Sequence, residues 1–206
     1  MSLTNTQAWK VFAEGLWKNN PIFIMVLGIC SSLAVTTFVK NAFVMYLGVA
    51  FATVFTSAIV AAIRKRIPAT YRMLVFMMIT STLVIVFDRL LKLTLPAVSK
   101  EMGPYVGLII TNCIVMGRSE AFAMSNTPWL SALDGLGVST GYGLVLLAIA
   151  VLREVFGMGT LLGTPVMPGG YQRCGLLISA PGAFLCLTVL LFLANFIREA
   201  RGEGKK

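Results

Sequence analysis

Charged residues are spaced along this chain so that six mostly apolar stretches carry none: 19–39, 41–63, 73–87, 102–117, 135–152 and 174–197. An uncharged apolar run of eighteen or more residues reads as a membrane-crossing helix, and a shorter one reaches that length where a charge near its end can snorkel to the interface. The pattern therefore predicts six helices, at 22–39, 42–63, 73–95, 105–122, 138–156 and 176–197. Pro21 suits the first turn of the first helix, where a missing N–H costs little, and Pro181 with Gly182 would kink or delay the sixth. The third carries Asp88, Arg89 and Lys92 in its outer half, and the fifth ends on the adjacent pair Arg153 and Glu154. The expected fold class is an all-α integral membrane protein, with residues 1–206 forming one membrane domain.

The layout also predicts an internal repeat. Residues 1–98 and 99–206 each hold three of the predicted helices, with a cysteine in the first of each set, Cys30 and Cys113. Because three is odd, the second set enters the membrane from the opposite side, which makes an inverted 3+3 repeat, an architecture that places sites near the midplane. The segments around the two cysteines, "LGICSSLAVT" and "IITNCIVMGR", share few letters, so the repeat rests on placement.

Composition narrows the classes. The chain is 57% hydrophobic and 12% charged, about half the charge of a soluble domain. A net charge of +9 would point to nucleic acid in a soluble chain, but the basic residues here stand at helix ends and in loops, as positive-inside bias requires. With the N-terminus inside, eleven Lys and Arg fall on the inner side and six on the outer, so both termini are expected in the cytoplasm. The first twenty residues are mixed and polar, with Lys10, Glu14 and Lys18, unlike a cleavable leader.

Candidate chemistry lies in four cysteines, with no histidine in the chain. At 1.5 Å per residue, Cys30 falls about 12 Å from the inner start of its helix and Cys113 about 15 Å from the outer start of its own, both near the middle of a core of roughly 30 Å. Cys174 and Cys186 fall elsewhere and read as packing residues. A free cysteine is commonly a small buried hydrophobe; alternatively, paired thiolates ligate soft metals or iron-sulfur clusters, for which two thiols are half a set. Gly28, Ser31, Ser32, Thr111 and Asn112 surround the pair with small and polar groups, suited either to close helix packing or to hydrogen bonds toward sulfur.

An acid in hydrocarbon costs about 3 kcal/mol on insertion scales and is a functional candidate by default. Asp88 is either such a group or the i,i+4 partner of Lys92. Asp134 and Glu120 lie nearer the inner surface, within reach of Arg118.

The stretches "LGICSSLAVTT" and "GLIITNCIVMGRSEAFAM", followed by "LDGLG", "YGLVLL" and "LREVFGMGTLLG", give the chain a likeness that spans about residues 19–196. It resembles the membrane-subunit family that includes the D subunit of the bacterial sodium-translocating NADH:quinone oxidoreductase and the E subunit of the Rnf ferredoxin:NAD oxidoreductase. "VMGR" running into "EAFAM", with "ITSTLVIVFD" upstream, favours the sodium-pumping branch.

The resemblance implies a non-catalytic subunit of a translocase in the bacterial inner membrane. It implies pairing with a homologous, inverted E subunit, with the A, B, C and F subunits as further partners and no nucleic acid. It implies that Cys30 and Cys113 supply half the ligands of an intramembrane [2Fe-2S] cluster, which carries electrons from the iron-sulfur centre of the F subunit to the flavin of the C subunit. NAD, flavins and quinone would bind other subunits. Asp88 and Asp134 would be ion-path or structural acids. Two rival classes give the same hydropathy: a secondary transporter with a substrate site on Ser31, Ser32, Thr36 or Asn112, and a purely structural membrane subunit.

Overall fold

A helix keeps its backbone N–H and C=O groups paired without water, so apolar stretches of this length are expected to be helical. A computed structural model of the chain describes residues 22, 25, 27–94, 103–158, 160–161, 164–165 and 179–200. They form seven α-helices: α1 Ile29–Val35, α2 Val39–Ile63, α3 Arg72–Thr94, α4 Val106–Ile110, α5 Cys113–Arg118, α6 Pro128–Met158 and α7 Ala180–Ala200. A π-helical segment, Ser119–Ala123, continues α5. After α6 a two-residue strand, Thr160–Leu161, pairs antiparallel with Thr164–Pro165.

The centre of the bundle is the antiparallel pair α2 and α6. Gly135 faces the backbone of Thr53 and Val54, where an added Cβ would lie 3.3 Å from Thr53 O and from Val54 Cα. Eight residues further along α6, Gly143 lies under the ring of Tyr46, eight residues back along α2, and a Cβ there would run into the ring's Cδ2 edge. The equal and opposite steps define the register. Small residues allow the two backbones to approach, which is how apolar helices gain contact when lipid tails are as apolar as their own side chains. α3 runs antiparallel along another side of α2, joined to it by Phe51 and Phe87, whose ring centroids are 5.6 Å apart, and by the Thr56 and Thr80 hydroxyls at 3.3 Å. Its outer face is apolar, with Met78 71% and Leu93 83% exposed, a surface suited to lipid.

Charge gathers at the end of the bundle where α2 stops and α6 begins. Arg64 donates to Asn126 O at 2.9 Å, and Arg72 pairs with Glu120 at 2.8 Å. Below them Arg118 grips Asp134 through two donors, Nε to Oδ2 at 2.8 Å and Nη2 to Oδ1, with both side chains buried.

The six-helix inverted 3+3 repeat is not what forms. Among the described residues four helical segments are long and apolar enough to cross a membrane: Val39–Arg66, Arg72–Leu93, Gly103–Ala123 and Pro128–Gly157. Within the stretch expected as the first helix, 22–39, α1 has only seven residues, about 10 Å at 1.5 Å each, and the chain breaks again before α2. The fourth span is itself interrupted between α4 and α5. Over the sixth predicted stretch the described helix is α7, Ala180–Ala200, with Pro181–Ala194 as its described apolar part.

The reason is local chemistry that hydropathy does not register. Gly28 adopts a left-handed conformation at φ 80°, and its carbonyl accepts from the hydroxyls of Ser31 at 3.0 Å and Ser32 at 2.8 Å. Asn112 is extended, and its side chain accepts from Ile114 N at 2.9 Å. Such side-chain bonds give the backbone partners outside the regular ladder and so permit a break. The helix expected at 138–156 starts earlier, at Pro128, as α6.

The Tyr46 contact gives a direct test. Gly143→Ala should destabilise the chain by about 1–3 kcal/mol through overpacking, and Tyr46→Leu in the same background should recover part of the loss. Thermal unfolding of the detergent-purified protein checks this, read as a double-mutant cycle.

Candidate functional site

The two helix breaks meet. Gly28, the residue before α1, donates its N–H to Sγ of Cys113, the first residue of α5, at 2.9 Å. Cys30 is the second residue of α1. Thus the two segments that carry the cysteines meet, with each cysteine within two residues of the start of a short helix. Cys113 is half-buried and Cys30 exposed, and both are free thiols.

Gly28 is required there for two reasons. Its positive φ is a conformation that side chains resist, and a Cβ would lie 2.6 Å from Ile114 Cδ1 and 3.1 Å from Tyr142 Cε2. Tyr142 is fully buried, and its hydroxyl lies 2.7 Å from that of Ser31. Its position on α6 backs the junction with a rigid element. The hydroxyls that a transported substrate would need are engaged locally. Ser32 donates to Gly28 O, and Thr36 donates to Ser32 O at 2.6 Å.

The other sequence candidates lie apart from this junction. Asp88 accepts from Lys92 at 2.6 Å, the i,i+4 pairing on α3. Asp134 is held by Arg118, and Glu120 pairs with Arg72 rather than Arg118. Cys186 lies on α7, partly buried against the main core, and Cys174 lies outside the described residues.

The expectation of a [2Fe-2S] cluster is corrected. Among the described residues no group of three or more His, Cys, Asp and Glu side chains converges to hold a metal ion. The donor set explains this: the chain has no histidine, and the buried carboxylates of Asp134 and Glu154 are held by Arg118 and by the Val39 N–H, so the junction offers two thiols and no third donor among the described residues. The iron-sulfur assignment therefore falls, and with it the electron route through such a cluster between the F-subunit centre and the C-subunit flavin.

A family profile described as "Rnf-Nqr subunit, membrane protein" matches residues 8–191. The chain belongs to the Rnf-Nqr family. Among its relatives, the D subunit of the Na(+)-translocating NADH-quinone reductase of Photobacterium profundum is 47% identical over 202 residues, covering 96% of each chain. The D subunit of the same enzyme from Pseudoalteromonas translucida is 44% identical over 209 residues, covering 98% of this chain and 100% of its own. That of Chlamydia trachomatis is 43% identical over 208 residues, covering 96% and 98%. The likeness extends through both breaks of this Rnf-Nqr chain.

Sequence reasoning named Gly28 only as a small neighbour of Cys30, and Tyr142, between two glycines in an apolar run, gave no isolated signal. Arg153 and Glu154 did give one, as ionisable residues at the end of an apolar stretch, but α6 continues to Met158 and buries both, at 3% and 2% exposure.

The buried Arg118–Asp134 pair yields a second prediction. Asp134→Ala leaves Arg118 uncompensated and should cost about 3–5 kcal/mol, whereas the joint replacement Arg118→Met with Asp134→Leu should cost less than either single truncation. Thermal melting of the purified protein distinguishes the two patterns.

Proposed function

We propose that this Rnf-Nqr chain is the D-type membrane subunit of a sodium-translocating NADH:quinone reductase, in the bacterial inner membrane with both termini in the cytoplasm. Its partners are a homologous E subunit and the A, B, C and F subunits. It is non-catalytic: it serves the electron-relay part of the complex by presenting Cys30 and Cys113, at the meeting of two helix breaks, toward the adjoining subunit. Asp88 and Asp134 act as structural acids through their pairing with Lys92 and Arg118.

The observation that carries this reading is the 2.9 Å contact between Gly28 N and Cys113 Sγ, which joins the two cysteine segments across 85 residues of sequence. Identity of 43–47% over nearly full length to D subunits of that enzyme supports the assignment to such a complex. Three of the four side chains that a transporter site would use, Ser31, Ser32 and Thr36, bond within the protein, which supports a relay rather than a transporter.

The test uses the assembled complex. Cys30→Ser and Cys113→Ser should each lower NADH-driven quinone reduction and the coupled sodium uptake by at least about tenfold, a loss in transition-state stabilisation rather than in substrate affinity. Cys186→Ser should leave both at the parental rate. Full activity in both junction variants, with normal assembly, refutes the role of the thiols.

A further inference from the structure

We propose that Arg153 and Glu154 are positioning residues that hold the break between α1 and α2 and thereby set where the Cys30 segment stands. The inference rests on the reading that the Cys30–Cys113 junction is the functional part of this chain.

The break runs over residues 36–38. Thr36 caps α1, and Phe38 is extended at φ −129° and ψ 135° before α2 begins at Val39. A helix end leaves backbone carbonyls or N–H groups without intrahelical partners, and in apolar surroundings each must be satisfied from elsewhere in the protein. α6 supplies both sets. Arg153 Nη1 donates to Leu33 O at 3.2 Å and to Thr36 Oγ1 at 2.7 Å, and Nη2 donates to Ser179 O at 3.4 Å. Glu154 Oε2 accepts from Val39 N at 2.9 Å.

The signs agree with the helix dipoles. The cation lies at the C-terminal end of α1, where carbonyls concentrate negative partial charge. The anion lies at the N-terminal end of α2, where N–H groups concentrate positive charge. Adjacent residues on a helix project about 100° apart, so one guanidinium and one carboxylate reach the two sides of the same break while their opposite charges are buried together. Arg153 also reaches Ser179, the residue before α7, so a single side chain ties α1, α6 and the start of α7.

The clamp acts on the cysteine through a short lever. Tyr142 precedes Arg153 by eleven residues, about three helical turns, and therefore shares its face of α6. Tyr142 meets the hydroxyl of Ser31, next to Cys30, and Arg153 holds the other end of α1. One rigid helix thus fixes both ends of the seven-residue segment that carries the thiol. Each of its holding contacts is a hydrogen bond of defined direction, which specifies position more tightly than apolar packing does.

In the intact complex, where the proposed function sets Cys30 against the adjoining subunit, Arg153→Gln should raise the rate at which a small methanethiosulfonate reagent modifies Cys30, followed by mass spectrometry, by about tenfold, because the segment opens more often. It should also lower kcat for NADH-driven quinone reduction with little change in KM. Arg153→Lys, which keeps the charge and one donor, should restore a large part of both, and Glu154→Gln should give the smaller effect because it retains an acceptor. If modification quickens while kcat stays parental, the clamp stands and the functional reading of the thiols fails. Parental modification rates and parental kcat for Arg153→Gln overturn the proposal. Should that variant fail to assemble, Thr36→Val removes the hydroxyl acceptor at nearly constant volume. It should quicken modification of Cys30 by a smaller factor, and a parental rate there overturns the proposal equally.

Discussion

Every backbone amide placed in an apolar medium must find a partner inside the protein, and the rest of this structure follows from how that demand is met at two interrupted helices. Elsewhere the helical ladder meets it automatically. At residues 36–38 and 111–112 it does not, and the protein brings side chains to the gap: Arg153 and Glu154 at the first, Asn112 at the second. Gly28 extends the same logic, since its N–H finds a sulfur acceptor in Cys113. The functional candidate is in this sense a by-product of solved hydrogen bonding, and the thiols are where they are because the backbone around them is broken.

The α2–α6 pair makes such breaks tolerable. Gly135 and Gly143 bring the two longest helices into contact along their length, which supplies a stiff wall against which a seven-residue helix can be held. A helix as short as α1 has little stability of its own; Tyr142 and Arg153 on that wall supply what its length lacks. At the opposite end of the wall the buried Arg118–Asp134 pair ties α5 to α6. That pair carries the risk common to buried ions: intact, it roughly offsets its desolvation, and broken, it leaves a charge with no partner. Both cysteine segments are therefore anchored to α6, one toward each end of that helix.

Much was legible in advance. Charge spacing identified α2, α3 and α6 in outline, because a long apolar run bounded by charged residues has few other physical solutions. Depth counting singled out the two segments that carry Cys30 and Cys113, and the i,i+4 pairing of Asp88 with Lys92 was one of the two readings that helical periodicity left open. The misreadings share a cause. Hydropathy averages over a window, so it merged α1 into a full span and passed over the interruption at Thr111 and Asn112. The same averaging placed Arg153 and Glu154 at a helix end, as though exposed, when α6 runs past them and buries both.

Composition, spacing and motif are enough to establish that the chain is helical and apolar enough to cross a membrane, and to which family the chain belongs. They are properties of the linear order of residues. Packing in three dimensions settled the rest: four long spans form among the described residues rather than six, a backbone amide meets Cys113, and one arginine and one glutamate of α6 close the break beside Cys30. Those outcomes depend on which groups, distant in sequence, stand within about 3 Å of one another, the range over which a hydrogen bond acts, and no local pattern in a chain encodes that distance.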